Sequence, residues 1–229
     1  FIVKERASQI LLSAPHGSRT FRNNRQEVWH EEDEYTAGMA LLLSELCNVS
    51  VIANTWRSDN NDPNYHRNCE YKKRMKEIIL KNGIRFVIDL HGAALNSQNL
   101  DSDQTVDLGY RSDRDEERSI DEIHLQKLEE LFLVKNDSCD PANFVIGRNH
   151  LPARGTGSSE PITTFIYRLN QETRVQAVQI EMKPQIRVVK RFPSASLYLS
   201  CGDFAADQKC IMHSLQALVG FIFYLENFK

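Results

Sequence analysis

The chain has 229 residues, 41% hydrophobic and 26% charged, which allows one globular domain with a sizeable core and excludes a disordered, collagen-like or small disulfide-bonded chain. Its 28 Lys and Arg against 31 Asp and Glu give a net charge of -3, so no basic field draws it to nucleic acid or an anionic membrane. No apolar run reaches the roughly 18–20 residues that span a bilayer; the longest, Leu215 to Leu225, is broken by Gln216 and Gly220.

Gln9 to Pro15 reads as a short buried strand ended by proline. Glu34 to Leu46 follows as a helix with Tyr35, Met39, Leu42, Leu43 and Leu46 on one face, and Val49 to Ala53 as a second strand. Tyr71 to Leu80 forms a helix closed by Asn82-Gly83, and Phe86 to Leu90 is a third buried strand. Asn96 to Arg118 is polar and acidic, a surface excursion. Ile120 to Leu133 is an amphipathic helix with Ile123, Leu128, Leu131 and Phe132 as its apolar contacts. A loop at Arg154 to Ser159 precedes strand-like Ile162 to Leu169; Val175 to Ile180 is a further strand, and Phe204 to Tyr224 a closing helix. Alternating strands and helices build a mostly parallel sheet covered on both faces, and with no repeat or linker residues 1–229 read as a single domain.

Five cysteines, Cys47, Cys69, Cys139, Cys201 and Cys210, include no C-x-x-C pair, which favours free thiols in a reducing cytoplasm. Two glycosylation sequons, Asn48-Val49-Ser50 and Asn136-Asp137-Ser138, weigh lightly against that compartment. The opening Phe1-Ile2-Val3, followed by Lys4-Glu5-Arg6, is not the apolar stretch of a signal peptide, and a leader already removed stays open.

Three polar residues stand where a buried strand runs out: His16, His91 and Glu181. Strand ends of a parallel sheet share one rim, where ligands bind, so residues distant in sequence converge there. A catalytic zinc takes three protein ligands from His and Asp or Glu and keeps a position for water. His16 and His91 supply two, and the cluster Glu31-Glu32-Asp33-Glu34 before the first helix offers the third. Helical phase counted back from Met39, Leu43 and Leu46 selects Glu32, four residues before Thr36; Glu31 and Asp33 stay open because helix starts shift by a residue or two. Acidic residues in a first turn also complement the helix dipole with no ligand role. Glu181 is placed as general base, and Asp89, two residues before His91 on the same strand, either orients that histidine or forms a structural salt bridge.

Ser13-Ala14-Pro15-His16-Gly17-Ser18, the acidic helix start at Glu32, Ile88-Asp89-Leu90-His91-Gly92 and Gln179-Ile180-Glu181, in that order, resemble the N-formylglutamate amidohydrolase family. Its wider relatives are zinc carboxypeptidases, aspartoacylase-like deacylases and N-acetylmuramoyl-L-alanine amidases. The resemblance runs from His16 to about Arg187. It implies a three-layer phosphorylase/hydrolase-like α/β fold with a mostly parallel mixed sheet, one Zn²⁺ per chain held by His, Glu or Asp, and His, and a glutamate base. The amidase relatives set their acidic ligand eight residues before a small residue and eleven before a leucine, as Glu32 stands to Ala40 and Leu43. The chain departs from the family in Pro15-His16-Gly17-Ser18, where Pro-His-Ser-Gly is frequent, and in Asp89-Leu90-His91-Gly92, where Asp-x-His-Ser is frequent.

Asn54 to Arg67 is too polar for core and is similar to the family's substrate-contacting stretch. Arg57, Asn64 and Arg67 are accordingly candidates to bind a substrate carboxylate, and Arg57 to stabilise the oxyanion; a solvated loop tied by Asx turns is the structural alternative. Arg154 with the following glycines, and Thr163, form a second candidate anion clamp. His30, His66 and His150 lie on polar segments and are read as surface residues.

Together these features predict a zinc-dependent amidohydrolase that cleaves the amide bond of an N-acyl or N-formyl amino acid, or of a small peptide, by metal-activated water. A peptidoglycan amidase or carboxypeptidase would use the same residues. A non-catalytic metal- or ligand-binding domain is the alternative of another class.

Overall fold

A computed structural model describes residues 1–22, 28–57, 62–93, 104–111, 118–134, 144–150, 159–188 and 208–228. A seven-stranded mixed sheet runs in the order β1 (Ile2–Lys4), β5 (Ser50–Ala53), β2 (Ile10–Ala14), β6 (Phe86–Gly92), β9 (Gln176–Met182), β7 (Val106–Gly109), β8 (Ile146–Arg148). The inner strands β5, β2, β6 and β9 are parallel to one another; β1 and β7 run antiparallel to their neighbours β5 and β9. A separate hairpin pairs β3 (Thr20–Arg22) with β4 (Val28–His30).

Alternation along the strands sorts the chain into three layers. Ile10, Leu12, Ala14, Ile88, Leu90, Val178 and Ile180 face α1 (Thr36–Cys47), α3 (Glu122–Leu133) and α5 (Gln208–Asn227). Leu11, Ile52, Val87 and Ala177 face α2 (Glu70–Asn82) and α4 (Ile162–Thr173). The chain leaves β2 for β5 on one side and then crosses back to β6 on the other. Such a switch opens a crevice at the carboxyl ends of β2 and β6, the position at which His16 and His91 stand.

Several elements differ from their sequence-based expectation. Ile162 to Leu169 is helix, not strand: Ile162, Phe165, Ile166 and Leu169 recur at helical spacing and pack as one stripe, and this period outweighs the local strand preference. Val106–Gly109, inside the expected surface excursion, is buried in the sheet, because Val106 and Leu108 reach the core while Asp107, facing the other way, takes hydrogen bonds from the His150 backbone and ring. On α1 the buried face is Thr36, Ala37, Met39, Ala40, Leu43, Ser44 and Cys47, whereas Tyr35, Leu42 and Leu46 are exposed. Ile123 on α3 is likewise exposed. Cys47 and Cys69 are free and buried, whereas Cys210 is disulfide-bonded, against the all-thiol expectation. Among the described residues no helix is long and apolar enough to cross a membrane.

His124 on α3 is buried edge-on against Phe86, Tyr224 and Phe228, and that burial pushes its imidazole below the ordinary 6.5. The folded chain therefore takes up this proton less readily than the unfolded chain. Its stability contribution is complete above pH 6.5 and falls as the pH drops below that value. Denaturant unfolding measured from pH 7.5 to 5 should show this loss, and His124→Leu should flatten it.

Candidate metal centre

His16, Asp33 and His91, all buried, bring one ligand atom each to within 4.8 Å of one another. His16 stands two residues beyond the end of β2. Gly17 behind it is required, because a Cβ there would lie 2.3 Å from Ala37 Cβ and 2.7 Å from the Asn54 carbonyl oxygen. Asp33 sits in the turn before α1, where its N–H donates to the His16 carbonyl at 2.8 Å and its own carbonyl accepts from Thr36 N and Oγ1. The turn thus ties the backbone of His16 to that of Asp33.

The Asp33 Oδ2 atom lies 3.0 Å from His91 Nδ1 and 3.5 Å from His16 Nδ1. The opposite nitrogen of each ring meets a buried carboxylate: His16 Nε2 bonds Asp62 Oδ1 at 2.8 Å, and His91 Nε2 bonds Asp89 Oδ2 at 3.0 Å. Both Nδ1 atoms therefore converge on one point beside Asp33, with Nε2 anchored by a carboxylate. Metal-ligating histidines are oriented in this manner. Tetrahedral zinc with bonds near 2.0–2.1 Å spaces its ligand atoms by about 3.3 Å. The 3.0 and 3.5 Å separations and the two-imidazole, one-carboxylate donor set fit such an ion.

Glu32 does not join this group. It is exposed, and partial desolvation raises its carboxyl, with the negative Glu34 and Glu31 adding to the shift. The helix begins only at Thr36, and Tyr35 before it is left-handed, with φ 67°. Helical phase therefore cannot be extended back across Tyr35, and Asp33, one residue further on, takes the inward position.

The ladder places Glu181 beside His91, and Gln179 Nε2 donates to Glu181 Oε1 at 2.8 Å. Desolvation pushes the Glu181 carboxyl up to about 7, with the negative Asp33 adding to it and the imidazoles of His91 and His16 opposing. Asp33 itself is held well below the usual carboxylate range, because hydrogen bonds from both imidazoles outweigh its burial. Burial would lower His16, but Asp62 and Asp33 reverse this and raise it to about 9; Asp89 and Asp33 likewise raise His91.

Other expected site residues are dispersed. Arg57 is exposed and lies over the Trp29 ring at 4.2 Å. Trp29 adjoins His30, whose ring stacks on His16 at 4.0 Å, so the β3–β4 hairpin links Arg57 to the metal group. Asn64 serves the fold, since its Oδ1 accepts the Ile162 N–H at 2.9 Å and caps α4. Thr163 is buried in the first turn of that helix, and Arg67 is 65% exposed at its side chain, 4.0 Å from Glu160. Arg154 lies outside the described residues. Sequence reasoning missed Asp62, which also accepts the Asn64 N–H in an Asx turn; the polar run Asp62-Pro63-Asn64 was its only signal.

No protein-family model matches the chain, and no curated relative does. Among solved structures, the fold is similar to that of N-formylglutamate amidohydrolase from Ralstonia eutropha JMP134, with a TM-score of 0.61 and 12% identity over 98% of this chain and 96% of that one. It is also similar to gene product Atu2144 from Agrobacterium tumefaciens, with a TM-score of 0.51 and 13% identity over 98% and 94% of the two chains. At these identities the likeness is one of fold: a mixed α/β architecture with a mostly parallel sheet between helical layers.

Two outcomes are expected from titration with zinc. Asp33→Ala should abolish binding while Glu32→Ala leaves it intact, and Asp62→Asn or Asp89→Asn should weaken it by about 10–100-fold. Since His16 and His91 hold protons to higher pH than free histidine, loading must displace them, and affinity should rise from pH 6 to 9. Calorimetry in buffers of different ionisation enthalpy reads that proton release.

Proposed function

We propose that the chain is a zinc-dependent amidohydrolase, a single metallohydrolase domain over residues 1–229, that cleaves the amide bond of an N-acyl amino acid, such as an N-formyl amino acid, or of a small peptide. The observation that carries this reading is the convergence of His16, Asp33 and His91, with Asp33 Oδ2 at 3.0 and 3.5 Å from the two Nδ1 atoms and all three ligand atoms within 4.8 Å, and with Glu181 one strand away in register with His91. The fold shared with an N-formylglutamate amidohydrolase supports it.

His16, Asp33 and His91 would hold the ion. Activation of water and polarisation of the scissile carbonyl are the chemistry that bound zinc supplies. Glu181, anchored at the end of β9 and oriented by Gln179, accepts the proton of the attacking water and returns it to the leaving nitrogen. Desolvation raises this carboxyl above its ordinary range, the direction required of a group that must both take up and release a proton. Asp62 and Asp89 keep the imidazoles turned so that both Nδ1 atoms face Asp33, where they would be free to hold the ion. Arg57, steadied by Trp29 beside the hairpin, binds the substrate carboxylate and neutralises charge that develops on the carbonyl oxygen; Arg67 is a second cation on the same polar segment.

Turnover of N-formyl and N-acetyl amino acids by the zinc-loaded protein tests the reading. Glu181→Gln should lower kcat by about 10²–10⁴-fold or more with zinc retained at the wild-type ratio. Unchanged turnover in that variant, or after chelation, would contradict the mechanism.

A further inference from the structure

Arg187 lies beyond the last strand, just after the short 3₁₀ turn Pro184–Ile186 that follows β9, and nothing in the proposed chemistry uses it. It is a buried cation, 4% exposed. Its guanidinium reaches three backbone carbonyls: Nε donates to Met182 O at 2.8 Å, one terminal nitrogen donates to Glu34 O, and the other reaches Ala93 O at 3.4 Å. Each carbonyl belongs to a different site segment. Met182 follows Glu181, Glu34 follows Asp33, and Ala93 stands two residues after His91.

The plane of the guanidinium also rests on Gly92, where a Cβ would fall 2.6 Å from Cζ and 2.8 Å from Nε. Glycine after His91 thus leaves the space in which the guanidinium lies. The turn fixes the stem of the side chain, since Arg187 N and Val188 N both donate to Pro184 O. Only a planar fork of several donors satisfies three carbonyls that approach from different strands and loops; a lysine ammonium on its flexible stem does not reproduce that fixed geometry.

We propose that Arg187 is a positioning residue that clamps the segments carrying Asp33, His91 and Glu181, and so sets the spacing of the metal ligands and the base. The clamp is a matter of backbone geometry; its consequence for metal rests on the hydrolase reading above. The clamp extends the ladder past its end, where Ala93 N still donates to Met182 O at 3.0 Å but Asp33 belongs to no strand.

Hydrogen exchange of the metal-free protein and zinc competition against a chromophoric chelator, applied to the wild type, Arg187→Lys, Arg187→Met and Gly92→Ala, test this directly. Gly92→Ala displaces the guanidinium without removing it. Faster exchange is expected jointly at residues 33–36, 91–93 and 181–183, with β2 and β5 protected as in the wild type. Zinc affinity is expected to fall about tenfold or more, the loss typical of removing an outer support of a metal site. In the cobalt-loaded protein, the visible absorption of Arg187→Lys should shift from that of the wild type, which a purely stabilising residue would not cause. Exchange that changes only at 184–188, with zinc affinity within twofold of the wild type, overturns the clamp. If Arg187→Met fails to fold, the lysine and glycine variants carry the same comparison. If the wild type takes no zinc, the metal reading fails on its own and joint exchange still decides the clamp.

Discussion

The candidate site depends on one carboxylate held between two imidazoles. Asp33 belongs to no strand, yet its Oδ2 lies between the Nδ1 atoms of His16 and His91, which are carried at the ends of neighbouring parallel strands. Burial raises the free energy of all three charged groups; their mutual interactions offset it, together with the Asp62 and Asp89 carboxylates that face the two imidazoles. A buried group of this kind gains from a cation, because the ion replaces shared protons with direct coordination. The Asp62 and Asp89 carboxylates behind the rings extend the same logic outward.

The sheet supplies this arrangement through alternation. The face toward α2 and α4 is apolar at Leu11, Val87 and Ala177 and polar toward the carboxyl ends, at Ser13, Asp89, His91, Gln179 and Glu181. Ser13 is pinned by the Tyr71 hydroxyl, which also donates to Ile52 O and so holds the ends of β2 and β5 together. On the opposite face the strands stay apolar to their ends, as Ala14, Leu90, Ile180 and Met182 show. The polar residues of the candidate site and the larger apolar cluster thus lie on opposite faces of the same strands.

Much of this was legible in the sequence. Strands that are short, apolar and stopped by a polar residue mark His16, His91 and Glu181, because a parallel sheet gathers its carboxyl ends on one rim. Helical phase points to Glu32, whereas the carboxylate beside the two imidazoles is that of Asp33; the phase does not pass the left-handed Tyr35, and no pattern in Glu31-Glu32-Asp33-Glu34 announces that break. Asn64 looks like a substrate contact from its polar neighbourhood, yet it caps a helix 98 residues away. Asp62 and Arg187 act through long-range hydrogen bonds to a ring nitrogen and to backbone carbonyls, which leave no periodicity or motif to read.

The proposed hydrolysis requires His16, Asp33 and His91 to hold a resident metal ion. The most direct measurement is the metal-to-chain ratio, by elemental mass spectrometry, of the protein purified without a histidine tag. One zinc per chain, removed by chelator and restored on reconstitution, is the expected result. No metal above background, in the purified protein and again after reconstitution, would contradict it.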